Sequence, residues 1–336
     1  MNPFRLILAS LLALAALAAA LPALAPAAVV TRDVAKSPAA VRDYWTKARM
    51  RKAEPVPVES ATPATAIPAP AEDAGAPTYV APAAPGGSGA ATLERGTGTT
   101  TAARGSGVAT PIADPSAPGV RTHGKVFFTT KGGLEPGDYV CSGTAVASRN
   151  KSLVWTAGHC VYDVQDLGGK SVNFMFAPAW HDGEAPFGYW TAKELGTTRQ
   201  WKRDGNLRFD MGAVVVARNA GRRLQAVVGA RGIGFDQPRD QTYSLFGFPV
   251  QQGTRFEGSR VEWGCVSPNR GADLPGGDGP KTIRTSCDMS GGSSGGGWVS
   301  GGILLSETSY GYGTSPYLYG PYLSQTAKKL YKRLGR

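Results

Sequence analysis

Histidine is scarce in this chain, three residues in 336, and cysteine numbers only four. No Cys-x-x-Cys pair and no His-rich cluster occurs, which argues against a bound metal and gives no reason to expect a cofactor. Past the first 30 or so residues no apolar run is long enough to span a bilayer, so no stable membrane anchor is expected. No nucleic-acid-binding motif is visible, although the formal charge is +11. From residue 119 onward 26 Lys and Arg stand against 17 Asp and Glu, a net +9. These cations are scattered, apart from Lys328-Lys329-Leu330-Tyr331-Lys332-Arg333, and read as a solvated face.

Apolar weight is unevenly placed. Residues 119–336 hold all four cysteines, six of the seven tryptophans and every phenylalanine except Phe4, enough for one sizeable core. The N-terminus reads as an export signal: Arg5, an apolar Leu/Ala stretch from Leu6 to Ala20, then small residues around Ala23-Leu24-Ala25. Pro26 disfavours cleavage directly after Ala25, so residues 1–27 are expected to be the signal peptide of a secreted, extracellular protein. In that setting four cysteines imply two disulfides, with three pairings open. Residues 28–118 are crowded with Pro, Ala, Gly and Thr and read as a mostly disordered prosegment. Within it, Ser37 as N-cap and Pro38 at the first helical position predict a short helix running to Met50. Its Tyr44 and Trp45 are candidates for an inhibitory or chaperoning element.

The chemistry concentrates in three glycine-flanked blocks. Ser290-Gly291-Gly292-Ser293-Ser294-Gly295-Gly296-Gly297-Trp298 is framed by Cys287 and an apolar run at Ile303-Leu304-Leu305, unlike a flexible linker. Upstream lie Thr156-Ala157-Gly158-His159-Cys160 and Phe209-Asp210-Met211-Gly212. A serine hydroxyl needs a base to take its proton, and the base needs a carboxylate to fix its tautomer and steady the imidazolium. Ser294 is the candidate nucleophile, His159 the base and Asp210 the carboxylate. The amides of Gly292 and Ser294 are candidates for the oxyanion hole, each donor being worth about 3–4 kcal/mol. His123 and His181 lack such a setting and read as loop residues.

These blocks resemble the trypsin/chymotrypsin serine proteases, in particular the glutamyl-endopeptidase-like (V8-like) branch, over roughly residues 119–336. The order His, Asp, Ser and the separations of 51 and 84 residues suit that family. They do not suit subtilisins or α/β-hydrolases. The resemblance implies an all-β fold of two antiparallel six-stranded β-barrels closed by a C-terminal helix, with the triad in the cleft between them. It implies a Cys141–Cys160 bridge, and Cys265–Cys287 with it. It implies a serine endopeptidase working through an acyl-enzyme on protein or peptide substrates, as a monomer. Two positions depart from the family pattern. Ser293 stands where activated trypsins carry an aspartate, so a new N-terminal ammonium has no partner there, and Gly297 replaces a usual proline.

Short β patterns agree with this: Val126–Phe128, Ser152–Thr156, Met211–Ala217, Thr242–Phe248, Arg260–Trp263 and Gly302–Leu305. Leu323, Ala327, Leu330, Tyr331 and Leu334 then recur at helical spacing. For substrate choice, Asp288 lies six residues before Ser294 and would favour Arg or Lys side chains. Thr308, Ser309 and Gly311 are the other candidate substrate-binding residues, with threonine where glutamate-specific relatives carry histidine. The alternative to an enzyme is a non-catalytic binding protein on the same fold, using its basic surface.

Overall fold

The computed structural model describes residues 28–56, 59–60, 75–87, 107–131, 136–164, 169–313 and 315–336. The expected signal peptide at 1–27 lies outside them.

Six strands form the first half: β1 (His123–Thr129), β2 (Asp138–Val146), β3 (Leu153–Thr156), β4 (Val172–Pro178), β5 (Trp190–Thr198) and β6 (Gly212–Val216). Each neighbouring pair is antiparallel, and the ring β4-β1-β2-β3-β6-β5 closes where Phe176 faces Trp190 across β4 and β5. Side chains alternate across a strand, so consecutive residues face opposite sides. Val126 and Phe128 accordingly enter the barrel core with Cys141, Val154, Phe174 and Val214. Phe127 points outward, yet is fully buried. It is covered by Val41 and Trp45 from upstream, together with Val140, Met175 and Trp180.

The second half is a sheet of eight segments: β7 (Gly232–Phe235), β8 (Thr242–Gly247), β9 (Trp263–Asp273), β10 (Thr282–Ser286), β11 (Gly297–Ser300), β12 (Ile303–Glu307), β13 (Tyr310–Gly311) and β14 (Tyr317–Gly320). Their order is β13-β14-β10-β9-β8-β11-β12-β7, and among these eight only β7 and β12 run parallel. The C-terminal helix α1 (Gln325–Leu334) lays Ala327, Leu330 and Leu334 on Trp155 and Met211 of the first half and on Ile233, Phe246 and Leu304 of the second. An all-β, two-half fold with a terminal helix is therefore present.

Several local expectations change. Disorder does not describe all of residues 28–118. Val29–Asp33 pairs antiparallel with β5, Thr78–Val80 with β7 and Thr110–Pro111 with β9. The sequence hides this because short edge strands borrow their partners from the barrel and the second sheet and need no core of their own. The helix from Ser37 breaks in two, Pro38–Tyr44 and Lys47–Lys52, because the Thr46 hydroxyl caps a new start by accepting from the Arg49 amide. The second helix turns the chain so that Trp45 can bury, its indole N–H donating to the Asn173 carbonyl at 2.6 Å. His123 is not a loop residue: it opens β1, is buried, and stacks on Phe246 at 4.0 Å. The strand expected at Arg260–Trp263 begins only at Trp263.

Candidate active site

His159 follows the end of β3, and Asp210 sits between a 3-10 turn at Leu207–Phe209 and β6. Two glycines let these pieces meet. A Cβ on Gly158 would stand 2.8 Å from Asp210 Oδ1 and from the Trp201 ring, and one on Gly212 would stand 2.4 Å from the Ala157 carbonyl oxygen. With glycine at both places Asp210 takes three donors. Oδ1 accepts the His159 backbone N–H at 2.8 Å; Oδ2 accepts His159 Nδ1 at 2.8 Å and Ser309 Oγ at 2.6 Å. The bond to a carboxylate assigns the neutral ring's proton to Nδ1, so Nε2 is the acceptor nitrogen. Trp201 lies edge-on to the imidazole at 6.1 Å.

Ser294 sits in a turn between Gly292 (φ +95°) and Gly295 (φ +77°), left-handed positions that favour glycine. The turn is pinned from both halves. Ser142 N–H donates to the Ser294 carbonyl at 2.7 Å and Ser142 Oγ to the Gly292 carbonyl at 2.9 Å, while Gly295 N–H donates to the Thr308 carbonyl at 2.7 Å. Cys160 Sγ lies 3.7 Å from the Ser294 carbonyl oxygen, so the serine and histidine loops abut. Ser294 Oγ has no hydrogen-bond partner among the described residues. Such bonds often tighten only in a substrate complex.

Both implied disulfides are present, Cys141–Cys160 and Cys265–Cys287, with Cα separations of 6.3 and 6.2 Å. The first ties the histidine loop to β2, and the second ties the approach to the serine turn to β9. Cys141, His159 and Cys160 are close enough to resemble a metal set, but both sulfurs are spent on the disulfide and Nδ1 on Asp210.

The remaining candidates divide. Ser309 gives its hydroxyl to Asp210, a positioning role its place in the sequence did not single out. Thr308 Oγ1 accepts the Trp298 indole N–H at 3.0 Å and is fully buried. Gly311 lies on the short strand β13. Asp288 is already engaged: Oδ2 accepts Arg255 Nε at 2.9 Å and Nη2 at 2.5 Å, and Oδ1 accepts the Ala109 amide at 2.7 Å. Glu307, which the sequence did not flag, is wholly buried and accepts the Trp155 indole N–H at 3.0 Å. Burial pushes its carboxyl well above the usual range, the Trp155 indole bond opposes the rise, and the Asp210 charge adds to it.

No family model matches the chain, and no curated protein matches it either. Solved structures do. A protease, Anisep, from Arthrobacter nicotinovorans is 36% identical, with a TM-score of 0.56 over 64% of this chain and 95% of its own. A thermostable serine protease, AL20, from an extremophilic microorganism is 37% identical, with a TM-score of 0.57 over 64% of this chain and 97% of its own. A Glu endopeptidase, 18% identical with a TM-score of 0.52 over 68% of this chain and 97% of its own, shares the fold.

Proposed function

The chain belongs to the serine proteases of the trypsin/chymotrypsin-like superfamily, and from that premise we propose that it is a catalytically active, secreted serine endopeptidase. The observation that carries this reading is Asp210, buried and bonded at once to His159 Nδ1 and Ser309 Oγ, beside a serine turn built on two left-handed glycines.

Ser294 Oγ attacks a peptide carbonyl while His159 Nε2 takes its proton, and Asp210 steadies the imidazolium. The tetrahedral oxygen collects the amides of Gly292 and Ser294. His159 then hands the proton to the departing amine, and water, activated by the same nitrogen, releases the acyl group from Ser294. Two disulfides suit an oxidising compartment. No helix among the described residues is long and apolar enough to cross a membrane. Residues 28–118 are proposed to be a prosegment released on maturation. A secreted form whose intact mass places its start before residue 60 would count against that.

Substrate choice follows from Asp288 only in part. With Arg255 and Ala109 on its oxygens, its charge is compensated, which counts against a strong preference for Arg or Lys. The non-catalytic alternative gains no support, because such a binder has no physical need for the buried Asp210–His159 pair. The test is covalent labelling by a fluorophosphonate: a single adduct on Ser294, absent in Ser294→Ala, is expected. An unmodified Ser294 in the processed, disulfide-bonded protein would refute the assignment.

A further inference from the structure

We infer that the upstream segment formed by the short strands Glu54–Pro55 and Glu59–Ser60, with Val56 beside the first, shuts this protease by lying in its cleft as a main-chain ligand that the triad does not cut; the inference rests on the assignment of Ser294 as nucleophile.

Gly292 N–H, proposed above as an oxyanion donor, already donates to the Val56 carbonyl at 3.0 Å. Val56 N–H in turn donates to the Val140 carbonyl on β2 at 3.1 Å. The Val56 side chain is 1% exposed, in the same apolar cluster as Tyr139, Cys141 and Cys160 beside the histidine loop. Farther along, Glu59–Ser60 pairs with Tyr310–Gly311, the strand directly after Ser309. One stretch of chain thus engages the edge at Val140, the oxyanion donor and the edge at Tyr310. Those are the sites where main-chain hydrogen bonds would otherwise hold a substrate strand.

Direction explains why occupation does not become turnover. Both edge pairings are parallel: Glu54–Pro55 against Tyr139–Val140, and Glu59–Ser60 against Tyr310–Gly311. The chain therefore arrives at the oxyanion donor from the Val140 side and leaves towards Tyr310. A ligand paired antiparallel to the same edges runs the other way, with the amine half of its central peptide bond on the opposite side of the carbonyl. Only one of these directions puts the departing nitrogen within reach of the proton on His159 Nε2. The sequence adds a second barrier, because the residue after Val56 is proline. The bond there is a tertiary amide with a ring on its nitrogen and no N–H. Prolines on both sides of Val56 also restrict the free segment, so less conformational freedom is lost when it docks. The helices at Pro38–Tyr44 and Lys47–Lys52 and the Trp45 between them serve as the anchor, with Tyr44 Oη donating to Asp138 Oδ1 at 2.6 Å and Arg49 pairing with Asp138 Oδ2 at 2.9 Å.

The test uses the full chain with Val56→Asp, which buries a carboxylate where valine sits, and Val56→Pro, which stays apolar but has no N–H for Val140. Hydrogen–deuterium exchange of the peptides covering Gly292 and Tyr310–Gly311, read in a Ser294→Ala background, reports occupancy without requiring activity. Exchange in either correctly disulfide-bonded variant is expected to be at least about tenfold faster than in the parent, since their acceptors are lost. Fluorophosphonate labelling of Ser294 in the otherwise native background is expected to accelerate in parallel. Exchange within twofold of the parent in both variants would overturn the inference. Fast exchange without labelling would uphold the strand and refute Ser294 as nucleophile.

Discussion

Ser309 Oγ donates to Asp210 Oδ2 at 2.6 Å, the same oxygen that accepts the hydrogen bond from His159 Nδ1 at 2.8 Å. A hydrogen bond to a charged group contributes about 1.5–3 kcal/mol, so Ser309→Ala should lower kcat by about tenfold or more. KM should change little, because the hydroxyl touches the carboxylate and not the substrate. Ser309→Thr, which keeps a hydroxyl, should recover much of the loss. Steady-state kinetics on a peptide substrate checks this, and a defect confined to KM would contradict it.

Gly158 has no room for a methyl group between Asp210 Oδ1 and Trp201. Gly158→Ala must displace one of them, and overpacking of this kind costs about 1–3 kcal/mol. Thermal unfolding should show a lower midpoint. Turnover should fall further than stability alone explains, since Asp210 bonds His159 and Trp201 lies edge-on to its ring, so either displacement disturbs the imidazole. Unchanged kcat in a folded Gly158→Ala protein would mean that the His159–Asp210 geometry is not needed.

The three candidate blocks were legible because each places a reactive residue within two positions of a glycine, and glycine marks close approach in sequence as well as in space. The C-terminal helix was legible from its period. Val56 was not, since its partners Val140 and Gly292 lie 84 and 236 positions away and a lone valine among prolines carries no pattern. Asp288 was read by its count from Ser294, but counting could not reveal that Arg255 from another loop had reached it. His123 looked isolated because its partners, Thr144 and Phe246, belong to other strands.

Lys125 gives a pH signature. Burial pulls its ammonium down from 10.5 to about 7, and the charge of Arg260 adds to the effect. Trp180 lies under the amine at 4.3 Å. Between about pH 7 and 10.5 the unfolded chain holds a proton that the folded one has released, so this group's contribution to stability rises with pH. It is lost as pH falls through about 7. The slope is worth at most about 1.4 kcal/mol per pH unit. Urea unfolding of the full chain from pH 6 to 9 should show the slope in the parent and a flatter profile in Lys125→Met. Identical profiles would place the lysine in water.

Arg255 holds Asp288 through two nitrogens. Removing it with Arg255→Ala frees a partly exposed carboxylate near the serine turn. Cleavage after Lys and Arg should then rise by about tenfold relative to cleavage after apolar residues, the worth of one charge-assisted contact. Site counts from a peptide digest measure this. No change would mean that Asp288 does not face the substrate.

Ser294, His159 and Asp210 are proposed to hydrolyse peptide bonds. The most direct test is to incubate the secreted, processed protein with a diverse peptide library and read every cleavage site by mass spectrometry, with Ser294→Ala prepared in parallel. Cuts that appear with the parent and vanish with Ser294→Ala are the predicted result. Either no cuts from a correctly disulfide-bonded, strand-free sample or equal cutting by both proteins would contradict the account.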